Sequence, residues 1–423
     1  MSWSWPERPR RVVVTGMGAI TALGNDVATT WEGLIAGRSG VAPVQAFDPS
    51  RLSVRFAAEA KGFDPSSVLD RKEIRRTDRY IQFALWTAHQ AVYDAGLPER
   101  FEGDLAARTG VILGSGMGGV QTLFDNVLLM GQRGPDRISP FFIPMGIGNV
   151  GAGQVAIATG AIGPNFSTVS ACATGGHAVG EAWETIRRGD ADVMLAGGVE
   201  AGIHEATIGG FASMKALSTR NDDPAAASRP FDRARDGFVV GEGCGVLVLE
   251  ALEHAQARGA APLAELVGYG ATADASHITL PAPGGIGAVR AARRALDKAG
   301  LDPSEVDHVN AHATSTAEGD KAELAAIRTI LGDHARNVSV TANKSMLGHT
   351  LGAAGAVEAI VTILTLRTGI VPPTINLDDP DEAAAGMDLT PKVATKRDPR
   401  VALSNSFGFG GQNTALVFRR WDA

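Results

Sequence analysis

The chain has 423 residues, 44% hydrophobic and 20% charged, which excludes a disordered or low-complexity protein and leaves room for one large or two fused cores. Its 39 lysines and arginines against 46 aspartates and glutamates give a net charge of −7, and without a long basic run neither a nucleic-acid nor an anionic-membrane surface has support. Two cysteines cannot form a disulfide framework, so a reducing, cytoplasmic setting is expected and each must be explained singly.

Met1–Arg11 carries Trp3, Trp5, Pro6 and Glu7 but no apolar run, which predicts a frayed tail rather than a signal peptide. Val12–Val14 followed by Thr15-Gly16 predicts a short buried strand ending in a turn. Similar β-branched or apolar runs recur at Val111–Leu113, Asp192–Ala196, Gly245–Leu249 and Val401–Leu403, as in strands covered on both faces. Helical periodicity marks Arg79–Ala95, Ala173–Arg188, Ile286–Ala299, Asp320–Leu331 and Gly352–Thr368. Strands alternating with helices predict an α/β architecture. The most apolar stretch, Ala353–Leu366, contains Glu358 and is shorter than the roughly 20 residues a membrane span needs.

A break near Ala257–Pro262 divides the chain into 1–257 and 258–423. The halves echo each other. Ser170-Ala171-Cys172 precedes Ala173-Thr174-Gly175-Gly176, and Leu347-Gly348-His349 precedes Gly352-Ala353-Ala354-Gly355, so one strand-turn-helix unit used twice is a reading to test against independent abundance of small residues. Gly114–Gly119 and Gly16-Met17-Gly18 imitate a dinucleotide fingerprint, but no following strand ends in the required acidic residue. A Rossmann-type oxidoreductase is therefore a distant alternative.

Phe166–Ala171 reads as a strand, with Cys172 at the start of the helix Ala173–Arg188. A thiol there faces unpaired N–H groups and the positive end of the helix dipole, which lowers its pKa and makes a nucleophile. The same N–H groups can stabilise an oxyanion on a thioester. Cys244, in Gly-Glu-Gly-Cys-Gly, reads as buried filler. His312 lies in a run of small and hydroxyl residues, Asn310–Thr316, and His349 just before the second small-residue helix. Paired with a helix-start cysteine, both become candidates for catalysis. Glu358 is the lone charge between Lys344 and Arg367 on a helix apolar nearly all round, so it needs a cation, a lysine or several donors. Ser404–Gly411, with two phenylalanines among glycines, predicts a functional loop.

Together these residues resemble the elongating β-ketoacyl-[acyl carrier protein] synthases of fatty-acid synthesis, synthase II in particular. The motifs are Ser170-Ala171-Cys172, Arg229-Pro230-Phe231-Asp232 with Arg235-Asp236-Gly237-Phe238, Asn310–Thr316, Lys344-Ser345 with Gly348-His349, and the phenylalanine-glycine loop. Ala313 stands where many members carry glycine. The resemblance implies a duplicated, five-layered α-β-α-β-α thiolase-like sandwich, a homodimer, and the decarboxylating condensation of acyl- with malonyl-carrier protein, with no cofactor required. It implies that Cys172 is the nucleophile, that the Cys172 and Phe409 amides form the oxyanion hole, and that His312 and His349 stabilise the enolate. Lys344 then orients this centre with Glu323 behind it, and Phe409 acts as a gate. Thr314 and Thr316 match positions that bind phosphopantetheine, and Met117 and, across a dimer, Phe142 match the acyl pocket. Asn310, Glu358, Ser404 and Asn405 match a site for K+ or Na+, and Lys72, Arg75, Arg76, Lys215 and Arg220 a docking surface for the acidic acyl carrier protein. A true thiolase would need a second suitable cysteine, an initiating synthase an asparagine in place of His349, and a non-catalytic chain-length partner no nucleophile at all. A type II polyketide ketosynthase of the same fold is the serious alternative, since the same residues do the same chemistry.

Overall fold

The structure is a computed structural model and describes residues 9–422; most of the tail Met1–Arg11, expected to fray, lies outside the described residues. Ten strands form one continuous sheet: β1 (Val12–Ile20), β2 (Thr109–Gly114), β3 (Asn165–Phe166), β4 (Val193–Glu200), β5 (Gly243–Ala251), β6 (Ala264–Ala273), β7 (His308–Asn310), β8 (Ser339–Thr341), β9 (Val401–Gly408) and β10 (Gln412–Arg420). From each outer edge inward the order is the same, β3-β2-β4-β5-β1 and β8-β7-β9-β10-β6. Directions match too. β2 is parallel to β3 and β4, as β7 is to β8 and β9, and the two inner pairings of each unit are antiparallel. The units join where Val12–Val14 pairs with Ala264–Leu266. The α/β fold is thus a duplication, with strands of the first unit ending at Ala251 and those of the second beginning at Ala264.

Seven helices position the site: α1 (Arg79–Asp94), α2 (Val120–Arg133), α3 (Val150–Thr159), α4 (Thr174–Arg187), α5 (Ile286–Ala299), α6 (Ala317–Leu331) and α7 (Ala354–Thr368). α1 and α3 cover one outer face, and α5, with α6 against it, covers the other. α4 and α7 lie between the two halves of the sheet and touch both. That is five layers, and it explains why whole strands such as β1, β4 and β5 are buried end to end. α7 is buried from Ala354 through Leu366, as expected of a helix apolar all round. The stretch Leu351–Thr368, long and apolar enough to cross a bilayer, is 83% buried inside the protein. α4 and α7 meet through glycine: a Cβ on Gly175 would lie 2.7 Å from the Ala356 amide, and one on Gly355 2.6 Å from that of Gly176.

Three local expectations are corrected, the first being that the loop expected over Ser404–Gly411 begins only at Phe409, because β9 pairs with β10 as far as Gly408. β1 does not turn at Thr15-Gly16; it continues to Ile20 with a register shift between Val14 and Gly16, the bulge leaving Thr15 without a partner on β5 while Gly16 pairs with Val248. Phe166–Ala171 is not a strand beyond Phe166. Side-chain bonds replace the ladder there, as described next.

Candidate active site

After β3 the backbone is organised by hydroxyls. Thr168 Oγ1 donates to the Thr174 carbonyl (3.0 Å), the Ser170 amide donates to Thr174 Oγ1 (2.8 Å), and Ser170 Oγ lies 2.7 Å from His177 Nδ1. Such local bonds compete with sheet pairing. Ala171 then takes φ +50°, and Cys172 follows inside a 3-10 turn, Ala171–Ala173, that runs into α4. β9 ends against this turn. A Cβ on Gly408 would lie 2.4 Å from the Ser170 carbonyl oxygen and 3.3 Å from the Cys172 nitrogen, so glycine is what lets the strand come this close.

The backbone N–H groups of Phe409 and of Cys172 itself both favour the thiolate form of the Cys172 sulfur. A helix start was expected to favour the thiolate, and here the structure differs. Burial pushes the thiol up to about 11, outweighing the Lys344 charge and the two N–H groups, which pull it down. Alkylation of Cys172 by iodoacetamide in the resting protein should therefore keep accelerating above about pH 9 rather than level off near the ordinary thiol range of about 8.5. A plateau at pH 8 in a mass-spectrometric time course would contradict this.

β7 delivers His312. The His312 and Ala313 amides donate to the Glu323 carboxylate of α6 at 2.8 and 2.7 Å, and Asn405 Nδ2 adds a third donor at 3.2 Å. His349 follows the short helix Lys344–Leu347 that comes after β8. Its Nδ1 accepts from the Leu351 amide (3.3 Å), which puts the ring proton on Nε2, a buried atom with no partner among the described residues. Burial and the Lys344 charge push both imidazoles well below their ordinary range, so both are neutral. The rings stand 5.5 Å apart at 85°, and the Cys172 sulfur and one nitrogen of each ring lie within 4.8 Å of one another. This can serve as a nucleophile beside two uncharged hydrogen-bonding groups.

Glu358 finds the lysine that its lone position demanded: it pairs with Lys344, and each is 2% exposed. Beside the pair, Asn310 Oδ1, Glu358 Oε2, Ser404 Oγ and Asn405 Oδ1 are buried without partners among the described residues. β7 and β9 hold Asn310 opposite Ser404, and Asn310 Nδ2 donates to the Glu358 carbonyl at 3.3 Å.

A cavity of about 460 Å³ is lined by Cys172, both histidines, Glu323, Met117, Thr314, Thr316 and Phe409. The Thr314 and Thr316 hydroxyls are 3.1 Å apart. Phe142 is not brought to this cavity; it is half-buried on the short helix Phe142–Gly146. Lys72, Arg75 and Arg76 are exposed on and just after the helix Arg71–Ile74, with the Arg76 guanidinium 4.8 Å from the Phe141 ring centre. Lys215 is exposed at the cavity mouth. Arg220 is engaged within its own chain, by the Ala234 carbonyl at 2.7 Å and Asp236 at 3.7 Å. Cys244 is fully buried and burial pushes its thiol up to about 12, as suits filler.

Three residues were missed. Glu200, at the end of β4, lines the cavity and is wholly buried, and burial raises its carboxyl to about 7 against several hydrogen bonds. Asp320 accepts from the amides of Phe231 (2.8 Å), Ser315 (3.1 Å) and Thr316 (3.3 Å), framing the threonine loop. Asp274 accepts from Asn413 Nδ2 (2.8 Å) and the Ala282 amide (3.0 Å), tying the phenylalanine-glycine loop to its neighbour. For Glu200 a signal existed, a charge ending an apolar strand; for Asp274 there was none.

The family model for beta-ketoacyl synthase, N-terminal domain, matches residues 9–255, and that for beta-ketoacyl synthase, C-terminal domain, residues 263–378. The chain is 48% identical over 413 residues to "3-oxoacyl-[acyl-carrier-protein] synthase 2" of Synechocystis sp., covering 97% of this chain and 98% of that one. It is also 48% identical over 414 residues to the protein of the same name from Staphylococcus aureus, covering 98% and 99%. A solved type II PKS acyl-carrier protein in complex with its ketosynthase bound to the hexaketide superposes with a TM-score of 0.89 at 35% identity, covering 98% of this chain and all of that one. Five motifs in order, a duplicated five-layer sandwich and two matched domain models place the chain in a known group: it belongs to the beta-ketoacyl synthase family.

Proposed function

We propose that the chain is a condensing enzyme of fatty-acid elongation, joining acyl-[acyl carrier protein] to malonyl-[acyl carrier protein] to give 3-oxoacyl-[acyl carrier protein], CO2 and free carrier protein. The convergence of Cys172, His312 and His349 on one cavity, within 4.8 Å of one another, carries this reading. Cys172 attacks the acyl thioester as its proton leaves, and the carrier thiol departs. The Cys172 and Phe409 amides hold the oxygen that becomes negative. Loss of CO2 from the malonyl group leaves its electron pair as an enolate, and His349 Nε2–H with His312 stabilises that oxygen as neutral donors. The carbanion then attacks the acyl-Cys172 carbonyl and releases the thiolate. The electrons balance without a redox cofactor. Burial, with the Lys344 charge adding to it, keeps both imidazoles neutral, and Glu323 fixes the His312 backbone. Thr314 and Thr316 face the phosphopantetheine arm, Met117 the acyl chain, and Phe409 gates the cavity. The first half, to residue 257, thus supplies the nucleophile, and the second both histidines.

Malonyl-carrier protein with acyl-carrier proteins of graded length should give 3-oxoacyl products two carbons longer by mass spectrometry. Repeated rounds of unreduced extension would instead favour the polyketide reading, and carbonyl-dependent NAD(P)H oxidation the oxidoreductase one. Relatives named for acyl-carrier protein and a ketosynthase complexed with one support a carrier protein as the partner; exposed Lys72, Arg75, Arg76 and Lys215 are its basic landing site in this reading, Arg220 contributing less because of Asp236. β3 is an edge strand, and Ile162, Phe166 and Val169 around it are exposed apolar residues. A second copy covering that edge gives the homodimer and carries Phe142 to the partner's cavity. A reducing cytoplasm suits a free reactive thiol.

The four unpartnered oxygens of Asn310, Glu358, Ser404 and Asn405 fit a hard monovalent cation, K+ or Na+. A cation at 100 times its dissociation constant adds about 2.7 kcal/mol of stability. Replacing potassium by choline at constant ionic strength should therefore lower Tm, and an unchanged Tm in differential scanning fluorimetry would remove the site.

A further inference from the structure

We propose that Glu200 is a positioning residue of the acyl cavity: its carboxylate fills, in the second half of the fold, the anion cradle whose counterpart in the first half stays open for the substrate oxygen at Cys172. The second part of that statement rests on the proposed function. The first rests on the duplication.

The shared strand order makes β4 and β9 counterparts, so their last residues, Glu200 and Gly408, occupy equivalent stations. The turns opening the central helices correspond as closely. Ala171 has φ +50° before α4 and Leu351 φ +49° before α7, each starting a three-residue 3-10 turn. Cys172 therefore matches Gly352. At Cys172 the facing strand ends in a glycine, which has no side chain to occupy the N–H groups of the turn. At Gly352 the facing strand ends in a carboxylate, which takes the corresponding N–H. Glu200 Oε2 accepts from the Gly352 amide at 3.0 Å and the Gly116 amide at 2.9 Å, while Oε1 accepts from Ser115 Oγ at 2.9 Å and the Met117 amide at 3.1 Å. All four are N–H or O–H donors, the arrangement that binds an anion at a helix start.

One side chain thus ties the turn before α7 to the loop Ser115–Met117. Gly116, Met117 and Leu351 line the cavity, so the position of its wall depends on this carboxylate. The same bonding occupies the amides that a dinucleotide phosphate would need in the glycine-rich segment. A glutamine at 200 has one acceptor oxygen and turns an NH2 either toward the Gly352 and Gly116 N–H groups or toward the Met117 N–H and the Ser115 hydroxyl, so at least one N–H donor is opposed in each orientation. The wall must then move.

The test uses the full-length chain and follows acylation of Cys172 by intact mass with short and long acyl-carrier proteins. Glu200→Gln should change the long-to-short rate ratio by about tenfold or more, the scale expected for displaced positioning groups. Glu200→Ala should do the same, and formate or acetate should restore the ratio saturably by entering the vacated cradle and should raise the variant's Tm. An unchanged ratio in Glu200→Gln, or a folded Glu200→Ala whose ratio and Tm ignore both anions, overturns the proposal. Should Glu200→Ala not fold, Ser115→Ala must shift the ratio in the same direction by a smaller factor, and no shift overturns it. If the unaltered chain acylates no cysteine, the proposed function fails, and the anion-dependent Tm still decides whether the cradle exists.

Discussion

Cys172→Ala should abolish acyl transfer and condensation, to below about 10⁻⁴ of the original rate, the scale of removing a covalent nucleophile. His312, His349 and Lys344 remain in place, so loss of CO2 from malonyl-carrier protein should persist and yield the acetyl thioester. The substitution is small and the site is held by Thr168, Ser170 and Gly408 rather than by the sulfur, so folding should survive. Intact-mass analysis for acyl-protein, with carbon dioxide release measured in parallel, checks both halves. Condensation that continues in this variant would end the proposed mechanism.

The second large effect is on stability. Lys344 and Glu358 are a buried pair, and in choline buffer, without the proposed K+ or Na+ at Glu358, removing one partner leaves the other uncompensated, at a cost of about 3–5 kcal/mol. Lys344→Met should show that loss in urea unfolding, and Lys344→Met/Glu358→Gln should recover part of it. The pH dependence has a definite sign. Burial raises the Glu358 carboxyl above its ordinary 4.5, and Lys344 is the main influence pulling it down, so the single variant raises it further. A carboxyl that holds its proton more tightly when folded stabilises least where the unfolded chain has ionised. Both proteins lose this contribution alike from pH 4.5 up to about 7, the unaltered protein's folded value, so the deficit should be smallest below about 7 and grow as pH rises from there through the variant's higher folded value. A deficit independent of pH would mean that the carboxylate has found another cation. Both histidines also lose the Lys344 charge that adds to burial in depressing them, so activity falls as well.

The catalytic cluster was legible because its residue types stand out from their surroundings: a cysteine and two histidines among small residues. Glu358 was legible by burial arithmetic, a lone charge on an all-apolar helix. Glu200 satisfies the same arithmetic on β4 and was overlooked, since a charge at a strand end reads as solvent-facing until the fold shows what lies beyond. Phe166–Ala171 misled because β-branched residues suggest a ladder, whereas Thr168, Ser170 and Thr174 bond one another instead. The thiol misled in the other direction. Dipole reasoning at a helix start was sound locally, but depth is a property of five stacked layers and cannot be read from the residues flanking Cys172. Arg220 shows the same limit: only folding brings Asp236 and the Ala234 carbonyl to it.

The central layer has a consequence for how the chain is made. α7 belongs to the second unit yet packs on β5 and α4 of the first, so the part of the first unit's inner face over β5 and along α4 stays uncovered until the ribosome has passed residue 368. Synthesis at about 5–20 residues per second leaves that face exposed on the order of ten seconds after residue 257 emerges. The two units share an ancestry of topology but a single act of folding. A nascent or truncated first half is accordingly a substrate for chaperones and a seed for aggregation, and limited proteolysis of such a fragment should find it digested where the whole chain resists.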